Sequence, residues 1–513
     1  MTVTLGQPAD LTPETYNRVI YDGEPVALAS DVMARLDRNL AAFNDFARTA
    51  GFIYGTTTGA GAMVHNTVDR DAWQERQRKV VLNHSAAIGP PLPGAVARGI
   101  ILVRLAHFLG MTAAVSPHFA QYLTDRLNDG FTPWVPSEGM GMDGETIPHG
   151  HVSQTFIGEG FVMDPTGQRV PAGQWLAAHD IAPVELGRRD GGAFSNGFGA
   201  SVALAMHVRR RLARALDVHT AVAACSAEAM AVLDEHYGPD VVRLLDARGL
   251  PQTIAAMAGL MAGSAIPRAG VQAAISYRVT PQVHAVLLDA LWRLDEELAR
   301  EMRSRPNNVA FFPAGPDGPA RVVHAGQFHN QPLANLADAA ALALAQVAIL
   351  ANRRLHRLLD PQETGLSKQL ALQPGTDSGL IILHKSAVGF EPELKALAQP
   401  FSLHTVESSL GHTDVETMAM PALGRLLRMA DMTAAIAAYE LYAALVAIDQ
   451  RGARPGAGVA AIHALVRARI PPFTADRNYG PEIETLRDLM ATDAFLALIP
   501  SLDHAAASAD IHA

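Results

Sequence analysis

The stretch Gly139-Met140-Gly141-Met142-Asp143-Gly144-Glu145-Thr146-Ile147-Pro148-His149-Gly150-His151 combines a glycine-rich loop with two acids and two histidines. Asp143 precedes a predicted helix that begins near Thr146, so its carboxylate is a candidate cap for the helix N–H groups. The segment also offers nitrogen and oxygen ligands for a metal. His149 and His151 are two positions apart, however, and would point to different faces of a helix. We therefore expect no metal here and leave open whether Asp143 is a cap or a catalytic group.

The composition indicates a globular protein of 513 residues with 49% apolar and 18% charged residues. A net charge of −10 argues against nucleic acid or an anionic membrane as a partner. The single cysteine, Cys225, precludes an intrachain disulfide and favours a reducing compartment. Neither a signal peptide nor an uninterrupted apolar run of membrane-spanning length is evident, so we predict a cytoplasmic protein.

The hydrophobic pattern predicts a mainly α fold. Long segments carry apolar residues at three- and four-residue steps: Ala200–Leu216, Val283–Leu298, Leu333–Leu358 and Leu423–Ile448. Strand signals are short, and the clearest is a hairpin of residues 161–163 and 169–171 around the turn Asp164–Gly167. We predict a loop-rich N-terminal part over residues 1–200, then a long-helix bundle with a C-terminal helical segment over 201–513. Long helices with small-residue faces also predict a homo-oligomer.

Several loop segments, in order along residues 40 to 480, resemble the aromatic amino acid lyases, the histidine and phenylalanine ammonia-lyase family. Besides residues 131–160, the matching segments are Ile53–Gly61, Glu75–Pro90, Ser195–Ser201, Arg278–Val283, Gln327–Pro332 and Gly375–Gly379. Each segment alone could occur by chance, but their common register is specific. The resemblance implies an ammonia-lyase-like fold, a tetramer and an amino-acid-like small-molecule substrate.

The resemblance also implies roles for individual residues. Tyr54 matches the lid tyrosine that serves as catalytic base, Asn196 lies near the prosthetic group, and Arg278 holds the substrate carboxylate. With Asp143 these are the predicted catalytic residues. The residues predicted to bind substrate are His84, Phe328, Gln331, Asp377, Thr413 and Asp414. Thr413 stands where the family has a glutamate and Asp377 where it has an asparagine.

The largest departure from the family is the triplet Met142-Asp143-Gly144. Family members carry Ala-Ser-Gly, which cyclises and loses water to form 4-methylideneimidazol-5-one (MIO), an electrophilic prosthetic group. Asp143 has no hydroxyl to eliminate, so the sequence predicts that MIO does not form and that the protein has no cofactor. An internal succinimide of Asp143 and Gly144 is a remote alternative.

The resemblance puts this loop at the N-termini of several helices, where an ionised Asp143 would be favoured. It could anchor a substrate amine, act as a weak base or act as a nucleophile. Three functional hypotheses follow. The first is a MIO-lacking, lyase-like enzyme that eliminates, isomerises, adds or cyclises by acid–base chemistry. The second is a non-catalytic homologue that binds a ligand or partner, and the third is a conventional ammonia-lyase.

Overall fold

A computed structural model describes residues 1–140, 143–268 and 272–502 and confirms the mainly α fold. Within these residues the helices are α1 Pro13–Ile20, α2 Val32–Thr49, α3 Trp73–Asn83, α4 Gly94–Phe108, α5 Pro117–Asn128, α6 Thr146–Phe156, α7 Ala172–Ala178, α8 Asp190–Phe194, α9 Gly199–Met230, α10 Pro239–Leu244, α11 Leu250–Met261, α12 Ile275–Arg278, α13 Thr280–Met302, α14 Gln331–Leu358, α15 Pro361–Thr364, α16 Ile381–Gly389, α17 Glu391–Leu397, α18 Ala419–Arg451, α19 Ala457–Arg467, α20 Gly480–Met490 and α21 Asp493–Leu496.

The strands described are short and pair two by two. Their bounds are β1 Val3–Leu5, β2 Val26–Leu28, β3 Ile88–Pro91, β4 Pro136–Glu138, β5 Phe161–Met163, β6 Arg169–Pro171, β7 Ala310–Phe312 and β8 Arg321–Val323. The pair β1–β2 is parallel, and the other three pairs are antiparallel. The predicted hairpin is confirmed as β5–β6, with Val162 opposite Val170. Gly167 adopts a φ of 84° in its turn, a conformation that glycine reaches without strain.

The four predicted long helices are confirmed as α9, α13, α14 and α18. The main difference is at the end of α9, which continues to Met230 instead of ending near Leu216. The added segment is rich in alanine, the residue with the highest helix propensity, and small side chains allow burial on every face. Cys225 lies in this segment, where burial raises the pKa of its thiol.

Contacts divide the chain into two compact units, and four of the five boundaries between them fall within the long helices. The first unit comprises Met1–His207, Leu294–Ala337 and Pro400–Gly424. The second comprises the described parts of Val208–Arg293, Asp338–Gln399 and Arg425–Ala513. The division into residues 1–200 and 201–513 remains a prediction.

Each unit has its own core. In the first unit, α4 is buried on nearly every face, and a smaller cluster joins Phe43, Trp73 and Phe311 beneath the loop that carries Tyr54. In the second unit, Arg354 and Glu440 are both fully buried and form two hydrogen bonds of 2.6 and 2.9 Å. A buried charge pair needs such geometry because unpaired charges are costly to desolvate.

Helices α14 and α18 are long and apolar enough, by length and composition, to cross a membrane. In their most apolar windows, however, 61% of the residues in α14 and 78% in α18 are buried inside the protein. Burial of this extent is typical of core helices, which satisfy the same length and composition criteria.

We predict that Gly150→Ala destabilises the first unit. A Cβ at Gly150 would lie 2.7 Å from the Cβ of His84 and 2.8 Å from its carbonyl carbon, and backbone cannot yield cheaply. Overpacking of this kind costs about 1–3 kcal/mol of the free energy of unfolding, which chemical denaturation measures. Gly424→Ala within α18 is the control, since nothing lies within 4 Å of its Cβ position. Equal stability of both variants would contradict the prediction.

Candidate active site

The candidate site is built on a tight turn, Asp143–Glu145, that leads into α6. Gly144 has a φ of 67°, and Glu145 has a φ of 49°, in the left-handed region that non-glycine residues rarely adopt. Such a conformation costs about 1–3 kcal/mol and persists only where surrounding contacts impose it. The residue at the helix N-cap position is Glu145, and its side chain makes no capping hydrogen bond. Gly141 and Met142, which precede the turn, lie outside the described residues.

Asp143 is held by a second segment of the first unit, residues 416–417. The backbone N–H of Asp143 donates to Glu416 Oε2 at 2.6 Å, and the N–H of Thr417 donates to Asp143 Oδ1 at 3.1 Å. The other carboxylate oxygen, Oδ2, lies 3.2 Å from His329 Nδ1. The Asp143 side chain is only 8% exposed. Its carboxylate is therefore bonded to distant segments rather than to the N–H groups of α6.

Glu416 places a second carboxylate beside Asp143. Its Oε1 accepts a hydrogen bond from the Ser408 hydroxyl at 3.2 Å, and its own N–H donates to Thr405 Oγ1. Burial raises the pKa of Glu416, and the nearby charge of Asp143 adds to the rise. The sequence prediction named Thr413 and Asp414 from this segment rather than Glu416. No periodicity in the sequence distinguishes these neighbouring polar residues.

Asn196 lies against Gly144. A Cβ on Gly144 would be 2.8 Å from Asn196 Nδ2, and the Gly144 carbonyl accepts the N–H of Gly197 at 3.0 Å. Asn196 Oδ1 in turn accepts the N–H of Asn308 at 2.9 Å. The structure thus brings the predicted residue Asn196 to the turn that carries Asp143.

Glu145 is the third acid of the site, and the sequence suggested for it only the metal-ligand role that we did not expect. Its side chain is 2% exposed, and its Oε2 accepts the N–H groups of Ala200 and Ser201 at 2.6 and 3.0 Å, at the start of α9. Burial raises the pKa of Glu145 to about 7, against the lowering effect of these hydrogen bonds. The start of α9 thereby holds the Asp143–Glu145 turn in place.

Tyr54 belongs to the predicted lid segment of the first unit. Its hydroxyl oxygen accepts the N–H of Gly61 at 2.7 Å, and its ring packs against the cluster of Phe43 and Phe311. Gly61 approaches Ser409, with 3.7 Å from its Cβ position to the Ser409 hydroxyl oxygen. Ser409 adjoins Ser408, whose hydroxyl donates to Glu416. The lid segment therefore touches the same loop that holds Asp143.

The predicted substrate-binding residues of the first unit occupy different settings. His84 ends α3 against Gly150 of α6, and burial lowers its pKa. Phe328 is half-buried beside His329, whereas Gln331 donates to Asn335 within α14. Thr413 pairs with Ser408 through the backbone, and Asp414 is exposed.

Arg278 and Asp377 lie in the second unit. Arg278 ends α12, and its Nε donates to the carbonyl of Ala273 at 2.9 Å. Asp377 closes a turn in which its Oδ2 accepts the N–H of Gln373. Their roles toward a substrate remain predictions.

The two histidines of the opening stretch have different neighbours, as the sequence spacing predicted. His149 is fully buried, with its Nε2 3.9 Å from Glu145 Oε2, whereas His151 Nε2 accepts the N–H of Ala87 at 2.9 Å. Among the described residues, no group of three or more His, Cys, Asp or Glu side chains has the geometry to hold a metal ion.

Comparison with known proteins shows the family. The model of the family described as aromatic amino acid lyase matches residues 11–468. Histidine ammonia-lyase from Sorangium cellulosum is 31% identical over 509 residues, covering 96% of this chain and 98% of its own. Histidine ammonia-lyase from Streptomyces coelicolor is 32% identical over 506 residues, covering 96% of each. The solved structure of tyrosine aminomutase from Streptomyces globisporus matches with a TM-score of 0.88 at 28% identity and covers both chains fully.

The fold and the site thus define a helical amino-acid lyase. The chain belongs to the aromatic amino acid lyase family, as its loop motifs predicted, and it is an enzyme of the lyase type. The hypothesis of a non-catalytic homologue loses its support.

The prediction that the protein has no cofactor is wrong. The chain belongs to a family whose members carry MIO, among them histidine ammonia-lyases about 31% identical to it over nearly its whole length. The prediction rested on one side chain, Asp143, in a triplet whose first residue, Met142, lies outside the described residues. A single position does not outweigh similarity over the full chain.

The described residues fit the MIO group only in part. The glycine whose amide nitrogen closes the ring is present as Gly144, which has a φ of 67° and lies against Asn196. Asp143 bears a carboxylate on its Cβ, whereas the methylidene carbon of MIO derives from a serine that loses its hydroxyl.

His151 predicts a pH dependence of stability. Burial lowers its pKa to about 4 from an ordinary 6.5, and the positive charge of Arg169 adds to the fall. A base whose pKa is lower in the folded state contributes stability that is complete above 6.5 and is lost as the pH falls toward 4. We expect His151→Asn to flatten part of this loss in urea unfolding between pH 7 and 4. The exposed His65→Asn is the control, and an unchanged slope in both variants would contradict the assignment.

Proposed function

We propose that this protein is an ammonia-lyase that eliminates ammonia from an α-amino acid, with histidine, phenylalanine and tyrosine as the first candidates. Histidine ammonia-lyases that match nearly the whole chain support the reaction type. The observation that carries the proposal is the meeting of Asp143, Glu416 and His329 beside Asn196. Three segments far apart in the sequence place charged and polar groups at one point.

We propose that the carboxylates of Asp143 and Glu416 bind the ammonium group of the substrate. Two acids joined through one hydrogen-bonded turn attract a cation more strongly than either alone, and burial strengthens the attraction. A cation would relieve the repulsion that, together with burial, raises the pKa of Glu416. Both oxygens of Asp143 already take part in hydrogen bonds, which favours an anchoring role over that of base or nucleophile.

We assign removal of the substrate's Cβ proton to Tyr54. In the proposed elimination, the phenolate oxygen of Tyr54 takes a proton from Cβ of the substrate and becomes the phenol, and the C–H electrons form the Cα=Cβ bond. The C–N electrons leave with the nitrogen as ammonia, beside Asp143. The Gly61 N–H that bonds to the Tyr54 oxygen orients the phenol. General bases of this kind contribute about 10²–10⁴-fold to rate.

The remaining site residues are assigned to substrate binding. Asn196 supports the turn at Gly144. Side chains of the first unit proposed to surround the rest of the substrate are His84, Phe328, Gln331, Thr413 and Asp414. Arg278, whose planar fork suits a carboxylate, and Asp377 keep only the roles that the family resemblance implies.

Isomerisation is a second candidate, because a tyrosine aminomutase is 28% identical and matches with a TM-score of 0.88. An aminomutase moves the amino group from Cα to Cβ and releases no net ammonia. Product analysis separates the two reactions, since the lyase yields an unsaturated acid and the aminomutase a β-amino acid.

We also propose that the active form is a cytoplasmic homotetramer. The long helices α9 and α18 are rich in small apolar residues, which favours close packing between helices. Light scattering should give about four times the chain mass of 54.5 kDa. A fully active preparation that sediments at the mass of one chain would contradict this state.

Substituting the proposed base, Tyr54, and the proposed anchor, Asp143, tests the proposed function. We expect Tyr54→Phe to lower kcat for ammonia release by at least about 10²-fold with a small change in KM, because only proton transfer is lost. We expect Asp143→Asn mainly to raise KM, because the charge is lost while its Oδ1 can still accept the Thr417 N–H.

The matched controls are Tyr122→Phe and Asp125→Asn. The Tyr122 hydroxyl donates to the carbonyl of Phe156 at 3.3 Å, and Asp125 accepts a hydrogen bond from Gln121 on the protein surface. Both controls should retain parent kinetics. Full activity in Tyr54→Phe, or no turnover of any candidate amino acid by the parent enzyme, would overturn the proposal.

A further inference from the structure

A buried group of ionisable side chains lies beneath the Asp143–Glu145 turn in the first unit. Its members come from four elements: Glu145 from the turn, Arg104 and His107 from α4, His149 from α6 and Glu301 from α13. All are at most 5% exposed. None of them contacts substrate in the proposed reaction, so the proposed function leaves the group unexplained.

Glycines of the Ser195–Ser201 segment let this group approach the start of α9. A Cβ at Gly197 would lie 2.2 Å from Arg104 Nη1, and one at Gly199 would lie 3.0 Å from His149 Nε2. Arg104 donates through Nη2 to the carbonyl of Ala193 at 2.6 Å, and His107 Nε2 lies 3.0 Å from the Glu301 carbonyl oxygen. The segment is therefore shaped around the buried charges.

Glu145 is the member that connects this group to the site. Its Oε2 accepts both the Ala200 and Ser201 N–H groups, whereas its Oε1 is buried without a hydrogen-bond partner among the described residues. The Ser201 hydroxyl accepts the Asn330 amide N–H at 2.6 Å. Asn330 adjoins His329, and His329 Nδ1 lies 3.2 Å from Asp143, two residues before Glu145. These contacts form a closed ring.

We propose that Glu145 is a positioning residue whose ionised carboxylate, by holding the start of α9, keeps His329 and Asp143 in register for substrate binding. The inference rests on the proposed function for its kinetic readout. A carboxylate is the stronger acceptor for two N–H groups at a helix N-terminus. Protonation of Oε1 makes the carboxyl group neutral and Oε2 a weaker acceptor. The hydrogen bonds from Ala200 and Ser201, and with them the ring of contacts, then loosen.

The surroundings set the pH at which this change occurs. Burial raises the pKa of Glu145 to about 7, while the Ser201 and Ala200 hydrogen bonds and the Arg104 charge act in the opposite direction. Of the other ionisable groups nearby, His107 and His149 stay neutral near pH 7, whereas Glu301 also titrates close to it. Burial lowers the pKa of His107 to about 3 and that of His149 well below its usual value, and burial raises that of Glu301 to about 8.

The test compares Glu145→Gln with Glu301→Gln between pH 5.5 and 8.5. The glutamine at 145 is nearly isosteric and does not titrate. We expect kcat/KM of Glu145→Gln to match the parent within about twofold at pH 6 and to fall about tenfold below it at pH 8.5, where the parent carboxylate is ionised. Glu301→Gln removes the other titrating carboxyl of the buried group, which has no side-chain hydrogen bond to α9 among the described residues, and should keep the parent's pH profile. A constant ratio of Glu145→Gln to parent across the range would overturn the proposal.

Hydrogen exchange supplies a readout that does not require turnover. At pH 8.5, Glu145→Gln should exchange faster than the parent in peptides covering residues 199–202 and also 327–331, because the ring links both. Glu301→Gln should not. Faster exchange confined to 199–202 would mean that Glu145 caps only α9 and would overturn the proposal. If the ring loosens as expected but the parent releases no ammonia, the proposed function fails and the positioning role stands.

Discussion

The candidate site depends on the two hydrogen bonds that the Glu145 carboxylate accepts from backbone N–H groups at the start of α9. These hydrogen bonds hold Glu145 itself in a left-handed backbone conformation, which would be unfavourable without compensating contacts. The turn thereby presents Asp143 toward Glu416 and His329 while Gly144 stays against Asn196. Burying a carboxylate is costly, and two N–H donors with a nearby arginine reduce the cost.

The site also relies on a reciprocal exchange between two backbones. Asp143 donates its N–H to the side chain of Glu416, and Thr417 donates its N–H to the side chain of Asp143. This exchange satisfies the backbone N–H groups of Asp143 and Thr417, as burial requires. It also brings two carboxylates together, an arrangement that a bound cation would stabilise. A substrate with an ammonium group fits that electrostatic requirement.

The sequence predicted the family correctly and the cofactor wrongly. Loop motifs in a common register identified the aromatic amino acid lyases, and the comparisons over nearly the whole chain confirm them. The absence of a prosthetic group was predicted from Asp143 alone and was wrong. The chemistry of one side chain describes one position, whereas a family relationship reflects constraints along the entire fold.

The sequence by itself determined what local physics controls. Apolar periodicity located α9, α13, α14 and α18, and turn residues located the β5–β6 hairpin, because these patterns act over a few residues. Tertiary structure alone decided which polar groups meet. Asp143 meets Glu416 across 273 positions and His329 across 186, and no local pattern marks either partner among its polar neighbours. Only the folded chain brings such groups within hydrogen-bonding distance, because the hydrophobic burial that folds the chain is non-directional and leaves specific polar pairing to packing.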